Sequence, residues 1–195
     1  MRIRFGLIAA ALALGAIASA QDAAPRETVS ASVGGKKVSV EYGRPSLKGR
    51  TLDELTKQLP ADRIWRAGVD QVTTLVTETA LSVGGKTVVP GKYSVYVFAP
   101  EKGDWALVLN SDQGMPLIKL WDKAPANLAN APWPHLEGYS NILAKEVARA
   151  TMKSGSTAPA AEMFTISLNA NKAGGATMVL SWSDKSWSLD LAPTK

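Results

Sequence analysis

The residues best equipped for chemistry lie between Tyr42 and Asp70. Arg44, Lys48, Arg50 and Arg66 cluster there around Gly43, Gly49 and Gly68, with Tyr42 and Trp65 beside the cations and Asp70 closing the stretch. A solvated charged face rarely sets arginine next to Gly, Pro and Trp, since Gly and Pro fix unusual backbone and Trp is driven towards burial. Guanidinium forks match carboxylate, phosphate or sulfate groups, and they also stack on aromatic faces. Tyr42 and Trp65 suit a sugar or an aromatic ring. The pattern predicts a binding site for a small anionic or carbohydrate ligand, built from Tyr42, Arg44, Lys48, Arg50, Trp65, Arg66 and Asp70. The same residues admit a structural reading. Arg66 buried against Asp70, Asp53 or Glu41 would lock the connection onto the fold, and such a pair holds geometry without binding anything.

Other chemistries find less support. The chain has no Cys and one His, His135, in a Trp-Pro-His loop context where a surface role is the plain expectation. No G-x-S-x-G elbow, D-x-D-x-D-G calcium loop or zinc ligand set is present. The Gly-Gly pairs lack the spacing of phosphate loops. No metal and no cofactor is therefore implied, and no catalytic residue stands out. The expected function is a non-enzymatic binding or envelope-associated module. The enzyme alternative is a hydrolase or isomerase using Asp70, with Arg66 as charge stabiliser. The third reading is a purely structural surface protein.

Residues 1–20 read as a secretory signal peptide. Arg2 and Arg4 form the positive region, an apolar run follows to about Ile17, and Ala18-Ser19-Ala20 makes a small-residue cleavage site. The predicted location is a bacterial periplasm or the extracellular medium, with no membrane insertion once the peptide is cleaved. Cleavage would remove the first 20 of 195 residues and leave 175, enough for one domain with its own core. Arg2 and Arg4 leave with the peptide, so 22 Lys and Arg fall to 20 against 17 Asp and Glu, and the net charge drops from +5 to +3. That is no polyelectrolyte surface, and nucleic acid is not an expected partner.

The elements that must position the cluster are mostly strands. Residues 21–27 read as a flexible lead-in. Residues 28–33 and 38–42 alternate on either side of Gly34-Gly35, a hairpin signal that nearly repeats around Gly84-Gly85. Residues 51–59 predict a short helix, with Thr51 and Glu54 at capping-box spacing, Leu52, Leu55 and Leu59 on one face, and Pro60 as the stop. Residues 93–98 are apolar on both faces except at Ser94, as in a central strand covered on two sides. Residues 117–121 read as a short strand and residues 122–161 as an irregular insertion, with a helix from Ser140 to about Met152 and a loose stretch after it. Three separate strands, 164–168, 177–182 and 187–191, close the chain. About nine or ten strands with frequent turns predict a mainly β fold over residues 28–195, an antiparallel β-sandwich or jelly-roll-like barrel with one or two short helices. The predicted core comprises Val38, Val40, Tyr93, Val95, Val97, Leu107, Leu109, Ile166, Leu168, Leu180, Trp182 and Leu189.

Several of these motifs occur together in one order: Tyr42 to Arg50, Trp65-Arg66-Ala67-Gly68, a Gly-Lys hairpin, Pro90 to Ser94, and Trp105 with Asn110. In that order the chain resembles an exported bacterial family, domain of unknown function twenty-nine eleven, from Val29 to about Asp112, with a weaker echo in the last strands. The resemblance implies a secreted, mostly β domain and carries over no catalytic residue. Where that family more typically shows Gly-Ala-Asn-Glu after Trp-Arg, this chain has Gly68-Val69-Asp70-Gln71, so an activity built on that Asn-Glu pair is not implied for it.

Overall fold

The fold starts from a hairpin that two glycines make. Strands β1 (Arg26–Val33) and β2 (Lys36–Gly43) pair antiparallel with Val33 opposite Lys36. Gly34 and Gly35 turn the chain at φ of +58° and +77°, backbone that costs a residue with a Cβ. The computed structural model describes residues 24–135 and 138–194. The signal-peptide reading therefore lies outside the described residues, and the last residues of the expected lead-in already belong to β1.

Helix α1 (Leu52–Thr56) follows with the capping box its sequence specifies. Thr51 Oγ1 accepts from the Glu54 amide at 3.2 Å, and Glu54 Oε2 accepts from the Thr51 amide at 2.7 Å. The two-residue strand β3 (Ile64–Trp65) then enters the sheet, followed by β4 (Thr74–Thr77) and the second glycine hairpin, β5 (Leu81–Val83) and β6 (Lys86–Val88). Strands β7 (Gly91–Phe98) and β8 (Ala106–Asn110) are the centre of the first sheet. A small ribbon joins β9 (Met115–Pro116) to β10 (Pro132–Trp133), and β11 (Glu146–Thr151), β12 (Lys153–Ala170) and β13 (Ala176–Pro193) complete the chain.

The first sheet runs β1-β2-β4-β7-β8-β11, and β3 pairs with the half of β7 that β4 leaves open. The second runs β12-β13-β5-β6. All these pairs are antiparallel, and the sheets pack face to face over Val38, Val40, Leu75, Val95, Val97, Leu107 and Leu109 on one side and Phe164, Ile166, Met178, Leu180 and Leu191 on the other. The architecture is a sandwich, and the sheets do not close into a barrel. Of the expected core only Leu168 and Leu189 are half-buried at its margin. No helix among the described residues is long and apolar enough to cross a membrane.

Four expectations need correction. Residues 140–152 form no α-helix. Tyr139–Lys145 is a 3-10 turn, and Glu146–Thr151 becomes edge strand β11, because Val147, Ala148 and Ala150 can cover the sheet only once the backbone is extended. The stretch after it is the start of the 18-residue β12, paired to β13 across two register shifts. Residues 187–191 belong to the same strand as 177–182. The inward set changes from even positions (Met178, Leu180, Trp182) to odd ones (Trp187, Leu191), and a bulge at Ser183, φ +56°, makes the shift. Leu117–Lys119 is a 3-10 turn rather than a strand.

Burial on both faces of β7 is found as expected. Tyr93, Val95 and Val97 face the sandwich core, while Tyr96 and Phe98 join Ile64, Val108, Tyr139 and Ile142 in a second apolar cluster on the outer face. The 3-10 turn is thus the cover of the central strands.

Candidate functional site

Strand β3 sets the first wall of the site. Ile64 pairs with Phe98 and Trp65 with Val97, so the chain leaves the sheet at Arg66. The following turn is held tightly. Thr73 Oγ1 donates to the Ala67 carbonyl at 2.8 Å, and a Cβ on Gly68 would stand 2.7 Å from that same hydroxyl oxygen. A Cβ on Gly43 would collide with the Val69 carbonyl, so both glycines let two backbones meet. Arg63, Ala67 and Asp70 all have positive φ, of 57°, 49° and 63°. Left-handed backbone at non-glycine residues costs on the order of 1–3 kcal/mol each and tends to gather at sites.

The cluster divides in this frame. Tyr42 is fully buried, and its hydroxyl accepts from the Ile166 amide at 2.9 Å and lies 3.2 Å from the Ile166 carbonyl and Glu27 Oε2. Burial raises its phenol above the ordinary value. Arg44 donates to the Phe164 carbonyl (3.2 Å) and Thr165 Oγ1 (2.8 Å) and pairs with Glu27 at 3.0 Å. These two residues tie β2 to β12. Lys48 holds its corner through its backbone amide, which donates to Glu162 Oε1 at 2.9 Å. Arg50 caps the Leu47 and Ser46 carbonyls, and Asp70 Oδ2 accepts from the Ala24 amide at 3.3 Å. The lock expected at Arg66 is thus made by Arg44. Arg66 itself has no hydrogen bond or ion pair among the described residues.

Arg66 lines a cleft of about 490 Å³. Trp65 and Trp182 stack at 5.3 Å between centroids and 16° between planes, and both line the cleft. Tyr96, Tyr139 and His135 line it as well, with Leu55 of α1 and Leu59 just past its end. Among the described residues the buried Trp182 indole N–H has no hydrogen-bond partner, and the Tyr96 hydroxyl is buried beside Ser94. The neighbouring Ser94 hydroxyl is committed to the Asp112 carbonyl at 2.6 Å. Burial pushes the Tyr96 phenol up to about 12, so it stays a hydrogen-bond donor at neutral pH. Of the residues predicted for the site, Arg50, Trp65 and Arg66 line this cleft; Tyr42, Arg44, Lys48 and Asp70 do not.

Sequence reasoning passed over a polar network behind the cleft. Asp112 accepts from Lys145 Nζ at 2.7 Å and the Gly114 amide at 2.8 Å, and His135 Nε2 lies 3.0 Å from its Oδ1. A carboxylate only accepts, so Nε2 carries a hydrogen and Nδ1 is the acceptor of the neutral ring. Burial opposes ionisation of Asp112, but Lys145, the Gly114 amide and His135 outweigh it and hold the carboxyl below its ordinary value. Asn110 and Tyr139 link this centre to the Glu146–Arg149 pair. The Asp112-Gln113-Gly114 turn was the available sequence signal, but only the fold brings His135 to it. Among the described residues no group of three or more His, Cys, Asp or Glu comes together to hold a metal ion.

An antiparallel β-sandwich with a cationic, tryptophan-walled cleft is the class of protein these features define. The chain belongs to the family described as Protein of unknown function (DUF2911), whose model matches residues 24–191. No curated protein and no solved structure matches it.

Proposed function

We propose that this chain is an exported, non-enzymatic binding module that holds a small anionic or sugar-like ligand in the cleft. One observation carries the reading: Arg66, with no hydrogen bond or ion pair among the described residues, lines the cleft beside a stacked tryptophan pair. Arg50 and Arg66 outnumber the lining carboxylate Asp62 and favour an oxygen-rich anion, and Trp65 offers an apolar face to its ring or carbon skeleton. Export to a periplasm or the medium rests on the leader pattern of residues 1–20.

Thermal unfolding against a panel of carboxylates, sugar acids and phosphate esters tests the reading. A ligand at a hundredfold excess over its Kd stabilises the native state by about 2.7 kcal/mol, several degrees of Tm for a chain of this size. At least one class should raise Tm saturably, and Arg66→Ala should abolish the rise. No shift from any class, or a shift indifferent to Arg66→Ala, overturns the reading.

An acid–base enzyme is the second reading, favoured by His135 on the cleft wall with Asp112 behind it rather than by Asp70, which lies off the wall. Turnover of any ligand found, lost in His135→Gln, would select it.

A further inference from the structure

A second cavity opens beside the cleft. It holds about 110 Å³ and is lined by Leu52, Thr56, Ala99 and Trp105, together with Leu55, Leu59, Trp65 and Trp182, the last four shared with the cleft. Except at Thr56, every side chain in this lining is apolar or aromatic. Its back wall is rigid, for Trp105 stacks on Trp187 with centroids 4.0 Å apart and planes 5° from parallel. The volume is of the order of the roughly 150 Å³ apolar cavity that stays dry and accepts a benzene ring. Trp65 and Trp182 therefore stand between a cationic compartment and an apolar one.

We infer that the ligand is amphipathic: a carboxylate with a phenyl or short alkyl tail. This inference rests on the proposal that the cleft binds an anion. The carboxylate meets the planar fork of Arg66 beside the stacked Trp65 and Trp182 rings. The tail passes between the shared leucines into the small cavity, under α1. A sugar or a bare phosphate would fill only the polar compartment and leave the apolar one empty. The size of the inner cavity sets the tail length, so long-chain fatty acids are excluded while phenyl and short alkyl acids fit.

The experiment uses the folded chain with straight-chain carboxylates from acetate to decanoate and 3-phenylpropionate, measured by titration calorimetry and by the indole N–H resonances in nitrogen-15 spectra. Affinity should rise about fourfold per methylene through the short acids, then stop rising. The Trp65 and Trp182 indole N–H resonances should shift on binding, since both rings line the cleft. Leu52→Trp fills the inner cavity without altering the polar lining and should remove the gain from tail length. Thr56→Phe, on the next turn of α1, is the second variant if the first fails to fold. Binding that needs Arg66 but is indifferent to tail length would leave the anion site standing and overturn the amphipathic ligand. A length dependence untouched by both cavity-filling variants would overturn it too, placing the tail elsewhere. No binding by any carboxylate removes it, while phosphate or sugar-acid binding in the same assay would keep the anion site.

Discussion

Asp112 is heavily committed: its side chain is 7 % exposed and takes hydrogen bonds from an ammonium, an imidazole and a backbone amide. Its folded pKa lies below the unfolded value of about 3.9. The stabilisation is thus fully present above the unfolded pKa and is lost as pH falls through the folded one. Unfolding midpoints between pH 7 and 2.5 should fall steeply below about pH 4, and Asp112→Asn should be weaker at pH 7 with a shallower acid limb. An unchanged acid limb in that variant would show that Asp112 is not ion-paired. Glu146 titrates in the same window, held low chiefly by its bond to Arg149, so some acid dependence will survive.

At the scale of elements, local chemistry is strong in places. The Thr51–Glu54 capping box specifies α1, and Thr51→Ala should cost about 1 kcal/mol in chemical denaturation. The bulge at Ser183 makes the opposite test. Ser183→Gly should keep or raise stability, while Ser183→Val should lower it by about 1–2 kcal/mol, since a β-branched side chain resists positive φ. Equal midpoints for the two would mean that the bulge is absent. The glycine hairpins, α1 and the central strands were legible in the sequence, because periodicity and turn chemistry act over a few residues. Residues 140–161 were not, because Ile142, Val147 and Ala150 fit a helical spacing as well as a turn followed by an edge strand. Only the open edge of β8 decides between them. The parity change between Trp182 and Trp187 was visible but read as a turn, and a bulge produces the same change without breaking the strand. The site was legible in part: the spacing found Arg50, Trp65 and Arg66, whereas Tyr96, His135 and Trp182 reach the cleft only through long-range pairing.

At the scale of the whole molecule, two sheets share one core, and the cleft opens at its margin against Trp182, where β3 ends and the cover over β7 and β8 begins. Leu107→Ala, in the middle of that core, should cost about 2–5 kcal/mol through lost burial and the cavity left behind. An unchanged midpoint would mean the sheets are not packed face to face at β8. The Arg66 side chain should be dispensable to this core, since it makes no ion pair among the described residues, whereas Arg44 bonds to β12 and to Glu27. The equilibrium unfolding free energy of Arg66→Ala without ligand tests that division most directly. It should lie within about 0.5 kcal/mol of the parent, as for a surface change that breaks no bond. A loss of about 3–5 kcal/mol, the cost of stranding a buried carboxylate, would contradict it and make Arg66 a structural lock.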